Sequence, residues 1–111
     1  MRKAPLLTRL KAKRRSQAML VGITWYTAET WALVKANATD PERFENSFLE
    51  WEVIANSARK DLQRAGVHAI EFQVIPQLFF DWCALHNKSN IAESRAEYVA
   101  ESLRLAQGSQ T

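Results

Sequence analysis

Thr39–Gly66 reads TDPERFENSFLEWEVIANSARKDLQRAG, and the interpretation of this stretch decides the fold. Its ends carry opposite punctuation. Thr39 or Asp40 can accept a hydrogen bond from a free backbone N–H, Pro41 suits the first turn, and Thr39-x-x-Glu42 has capping-box spacing. Gly66 suits the left-handed position that follows a helix. Glu42 and Glu45 lie near the positive end of the helix dipole, and Arg59, Lys60 and Arg64 near the negative end. Between them Phe44, Phe48, Trp51, Ala55, Ala58, Leu62 and Ala65 recur in steps of four and three. With Ile54 they fill an arc of about 120°, the signature of an amphipathic helix. One continuous helix is expected, roughly 37 Å long at 1.5 Å per residue.

Two readings of that stripe compete. It is the core face of an intramolecular helix, or it is a dimer seam, since the same spacing marks coiled coils. Phe, Trp and Ala suit an irregular aromatic core better than a regular seam. Leu49 and Val53 fall on the other, polar side and are the candidate interface residues, toward the N-terminal arm or a second copy.

Outward from this helix the periodicity changes. In Leu20–Tyr26, Val21, Ile23 and Trp25 alternate with Gly22 and Thr24, which predicts a strand. Thr27 caps a helix expected over Ala28–Ala38, with Trp31 and either Val34 or Lys35 on one face. On the far side, Val67–Ile75 predicts a second strand, with His68, Ile70, Phe72 and Val74 opposite Glu71 and Gln73. Pro76 opens a helix to about His86, with Leu78, Phe79, Trp82 and Leu85 inward. Ser89 or Asn90 caps a last helix over Ile91–Ala106, whose stripe is Ile91, Tyr98, Val99, Leu103 and Ala106.

The expectation is therefore a helix-rich, two-layer α+β domain of order β-α-α-β-α-α over residues 19–107, with a polar tail at 108–111. Two strands make a poor sheet alone. Either a strand is missing from this reading, or the two pair beneath helices, or a homodimer completes the sheet. The four Trp lie on four elements and are expected to share one core.

The net charge of +3 hides an asymmetry. Residues 1–18 hold Arg2, Lys3, Arg9, Lys11, Lys13, Arg14 and Arg15 and no acid; the rest has eight basic and twelve acidic residues, net −4. The arm is expected first as a disordered or partly helical tail, and second as a candidate for contact with nucleic acid, an anionic membrane surface or another polyanion that weakens with salt. No aromatic residue interleaves with its cations, so base stacking is not indicated. Met19, just before the first strand, is an alternative start. A basic segment before Ala18–Tyr26 resembles a secretory leader, but Tyr26 stands where a small residue is wanted. No stretch approaches the roughly 20 apolar residues of a membrane-spanning helix.

Candidate chemistry is sparse. Cys83 and His86 share a helix face at i, i+3, and His68 is the remaining imidazole. A metal site needs three or four ligands, and a Cys–His nucleophile needs an orienting group; neither motif is legible. The three glycines, Gly22, Gly66 and Gly108, form no phosphate loop. The lone cysteine excludes an intramolecular disulfide and fits a reducing cytosol. No cofactor is implied.

Five short runs carry a resemblance. They are Ile23-Thr24-Trp25-Tyr26-Thr27 with Glu29 and Trp31, Asp40-Pro41-Glu42, Phe48 with Trp51, Asp81-Trp82-Cys83, and Arg95-Ala96-Glu97-Tyr98-Val99. Together they resemble a group of short uncharacterised bacterial proteins over residues 23 to about 104. The resemblance implies a cytosolic bacterial protein starting near Met19, and no catalytic residue. The expected function is a non-enzymatic, homodimeric interaction or accessory protein. The alternatives are a nucleic-acid accessory protein acting through the arm and a small enzyme built on Cys83 and His86.

Overall fold

The element order is the expected β-α-α-β-α-α, and the domain is α+β. The computed structural model describes residues 19–108. The basic arm, with its seven candidate polyanion residues, lies outside the described residues. The elements are β1 (Leu20–Trp25), α1 (Ala28–Ala36), a 3-10 turn (Pro41–Arg43), α2 (Phe48–Arg64), β2 (His68–Gln73), α3 (Pro76–Leu85) and α4 (Ala92–Gly108).

The two strands pair with each other, in parallel, with Leu20 beside His68 and Trp25 beside Gln73. Parallel neighbours need a crossover, and α1, the 3-10 turn and α2 supply it. Partners in register share a face. Trp25 meets Trp51 of α2 with ring centroids 5.2 Å apart, and Glu71 lies 3.2 Å from Arg59 of α2. From the other face Phe72 meets Tyr98 of α4, and a Cβ on Gly22 would lie 3.1 Å from both Val99 and Leu103. Helices therefore cover the sheet from both sides, a refinement of the two-layer expectation. A narrow parallel pair is stable only with both faces covered.

Gly22 sets how closely α4 approaches β1. Val99 is fully buried and cannot give way, whereas Leu103 has some freedom. Gly22→Ala is expected to cost about 1–2 kcal/mol through overpacking. Urea denaturation checks this, and a variant as stable as the parent would show that α4 shifts freely.

The long helix expected from Thr39 is broken. α2 starts at Phe48 and is about 25 Å long. Its cap is Ser47, whose hydroxyl accepts from the Glu50 N–H at 3.1 Å, while the Glu50 carboxylate accepts from the Asn46 N–H at 3.3 Å. Ser47-x-x-Glu50 is itself a capping-box spacing. Asp40 makes no side-chain cap bond to the 3-10 turn, because its carboxylate is committed to α4. Phe44 leaves the helical stripe and packs edge-on to Trp31, 6.2 Å away.

Other boundaries follow local chemistry. Thr27 caps α1, exchanging bonds with Thr30 at 3.2 and 2.8 Å. Gly66, at φ 83°, ends α2 as expected. Asn87 takes the same left-handed role after α3, with the Lys88 N–H donating to the Cys83 carbonyl at 2.8 Å.

The core gathers Tyr26, Trp31, Val34, Val74, Phe79, Cys83, Tyr98 and Val99. Of the four Trp only Trp31 is buried; Trp51 and Trp82 are partly buried against the core, and Trp25 is partly buried edge-on to Trp51. The inward face of α3 is Phe79 and Cys83, while Leu78 and Leu85 face solvent. α2 contributes no fully buried residue, and Ile54, expected on its core arc, is exposed.

Candidate functional site

Arg95 is the centre of the polar structure. It lies one turn past Ile91 and one turn before Tyr98, on the apolar stripe of α4, so the stripe carries its charge inside. Its side chain is 10% exposed and that of its partner Asp40 is 13% exposed. Arg95 Nη1 donates to Asp40 Oδ1 at 3.0 Å and to Asn90 Oδ1 at 2.8 Å, and Nη2 donates to Asp40 Oδ2 at 3.2 Å. The guanidinium lies 4.4 Å from the centre of the Phe44 ring.

The same cluster closes the start of α4. The Ala92 N–H donates to Asp40 Oδ2 at 2.8 Å, so a residue from another loop does the capping expected of Asn90. Asn90 instead bridges the domain: its Nδ2 donates to the Val34 carbonyl at 2.9 Å, and its own carbonyl accepts from the Thr39 N–H at 3.0 Å. Burial opposes ionisation of Asp40. The Arg95 hydrogen bonds, the Ala92 N–H and the Arg95 charge outweigh it and hold the carboxyl below its ordinary value.

Beside this cluster, a cavity of about 220 Å³ opens at the carboxyl end of β1. Thr24 and Tyr26 form its floor, Trp51 of α2 one wall, and Ala92, Arg95 and Ala96 of α4 another. Crevices outside the carboxyl ends of the strands are where ligands sit in open parallel sheets. The rim is Arg43, Phe44 and Glu45. Tyr26 is 6% exposed, and burial, partly offset by Arg95 and reinforced by Glu45 and Asp40, pushes its phenol up to about 12. The hydroxyl therefore keeps its proton at any physiological pH.

Comparison with protein-family models, curated proteins and solved structures gives no match to this chain. The site is read from its own chemistry.

The Cys83, His86 and His68 candidates are not joined by any hydrogen bond. Cys83 is in the core, and burial raises its thiol pKa, with Arg95 only partly opposing. A protonated, buried thiol is a poor nucleophile. His86 is exposed, its ring 4.8 Å from that of Trp82 and its Nδ1 2.9 Å from the Trp82 carbonyl. His68 is exposed at the opposite end of β2 from α3. Among the described residues no three His, Cys, Asp or Glu side chains are grouped to hold a metal ion, and no helix is long and apolar enough to cross a membrane.

Leu49 and Val53 are each 70% exposed, and with Ile54 they border a shallow apolar depression on α2. Spacing alone had singled out the first two. It missed Asp40, Asn90 and Arg95 as a unit, although a charge at position 95 on an otherwise apolar stripe is a legible sign of a buried partner.

Proposed function

We propose that this chain is a small cytosolic, non-enzymatic interaction module that pairs with a second copy of itself through the solvent face of α2. The observation that carries the reading is the state of α2. It is a seventeen-residue helix with no buried residue, and Leu49, Val53 and Ile54 gather on its exposed side. The charges along the helix support an antiparallel, two-fold pairing. Glu50 and Glu52 lie in its first half and Lys60 and Arg64 in its second, so an antiparallel partner sets opposite charges against each other. Arg64 is already paired with Asp61, which leaves Lys60 as the cation for this contact.

One helix face is small for an interface, so the pairing is weak, with a dissociation constant on the order of 10–100 µM. Sedimentation equilibrium of the full chain from about 5 to 500 µM checks it. The parent is expected to move from monomer to dimer over that range. The double variant Leu49→Glu, Val53→Glu is expected to stay monomeric with an unchanged circular dichroism spectrum, since both side chains stand in solvent. A parent that is monomeric throughout would overturn the proposal.

A further inference from the structure

We infer that the cavity at the carboxyl end of β1 binds a small zwitterion of the free amino-acid class, its carboxylate on Arg43, its ammonium on Glu45 and its side chain against Phe44 and Trp51. The size fits. At about 30 Å³ per water, 220 Å³ holds about seven waters, or one ligand of about ten heavy atoms.

The charges select the class. Of the two guanidinium groups at the cavity, that of Arg95 is already held by Asp40 and Asn90. The Arg43 guanidinium has no hydrogen-bond or ion-pair partner among the described residues, and neither has the Glu45 carboxylate. Glu45 is fixed through its backbone instead, where Lys35 Nζ donates to its carbonyl at 2.9 Å. The rim thus presents one unpaired cation and one unpaired anion on either side of Phe44. A simple anion would meet Glu45 and a simple cation would meet Arg43, whereas a zwitterion satisfies both.

A second observation lies at the cavity floor. The Tyr26 hydroxyl is on a residue buried in the fold, makes no hydrogen bond among the described residues, and sits where Arg95, Glu45 and Asp40 act on it. The phenol lines the cavity with a free donor and acceptor for a bound polar group. Beside Arg95, α4 turns Ala92 and Ala96 toward the cavity, and their small side chains leave the space open. The site does not use Leu49, Val53 or Ile54, so it stands whether or not the chain dimerises.

The test is a titration of the isotope-labelled full chain with L-leucine, followed by nuclear magnetic resonance at the Trp51 indole N–H and the Ala92 and Ala96 amides. Saturable shifts with a dissociation constant of about 0.1–1 mM are expected for a ligand of this size. 4-Methylpentanoate, which lacks the ammonium, and leucinamide, which lacks the carboxylate, are expected to bind at least about tenfold more weakly. Glu45→Gln is expected to abolish the preference for leucine over 4-methylpentanoate, and Arg43→Gln the preference over leucinamide. No saturable shift at about 20 mM leucine would overturn the inference, as would equal binding of all three probes to the parent chain.

Discussion

Arg95→Ala is expected to destabilise the domain by about 3–5 kcal/mol, the range for breaking a buried ion pair from one side. Such a loss is a large share of the 5–15 kcal/mol that typically holds a domain of this size together. Three consequences act together. The Asp40 carboxylate stays inside without its cation, Asn90 Oδ1 loses its donor, and the Phe44 ring loses the guanidinium over its face. The damage is not local, because this cluster ties the segment after α1 to the start of α4. Asp40→Asn should cost less, since an amide oxygen can still accept from the Ala92 N–H. Replacing both partners by apolar residues, as in Asp40→Leu with Arg95→Met, is expected to recover much of the loss, because no charge is then left buried. Urea denaturation of the single and double variants measures each step. An Arg95→Ala domain as stable as the parent would show that the ion pair contributes nothing.

The same pair sets an acid dependence. The folded pKa of Asp40 is depressed, so its contribution is fully present above the unfolded value of about 3.9 and is lost as pH falls through the lower folded value. Stability of the parent should therefore decline below about pH 4, and the Asp40→Asn variant should decline less steeply over that window.

Phe79→Ala is the second large effect, about 3–5 kcal/mol. Phe79 is 1% exposed and lies at the crossing of α3 and α4. Its ring stacks on Trp82 at 6.3 Å and meets Tyr98 at 5.3 Å and Phe80 at 6.0 Å, so truncation leaves a cavity that rigid neighbours cannot fill. The control is Leu85→Ala on the same helix. Leu85 is 82% exposed, and its truncation is expected to change stability by less than about 0.5 kcal/mol. Thermal unfolding separates the two, since a loss of 3 kcal/mol or more lowers the midpoint by about 12 °C or more in a domain of this size. Equal midpoints for the two variants would mean that α3 is not docked by Phe79.

The contrast between Phe79 and Leu85 marks what periodicity can resolve. Both stand on an apolar run in α3, and the run is apolar on too many sides to say which face turns inward. Burial of Cys83, one turn from Phe79, settles that, and it also removes the thiol from the surface where a reactive cysteine would be needed. Leu49 and Val53 were easier to place, because on an otherwise polar face an apolar pair is conspicuous.

The sequence by itself determined the elements and most of their ends. Strand alternation around Ile23 and Phe72, the Thr27 cap, the Pro76 start and the Gly66 stop are all short-range, written within a few residues of where they act. Tertiary structure decided the rest. The helix expected from Thr39 breaks before Phe48, although Phe44 and Phe48 keep a helical spacing. Asp40 bonds to Arg95 and Ala92, and Phe44 turns onto Trp31. Those partners are remote in the chain, and no local preference for a cap outweighs a buried ion pair with its hydrogen bonds. The parallel pairing of β1 with β2 was likewise decided at a distance, because the narrow sheet needs α2 on one face and α4 on the other. The cavity likewise joins residues remote in the chain, Thr24 and Tyr26 with Trp51 of α2 and Ala92, Arg95 and Ala96 of α4.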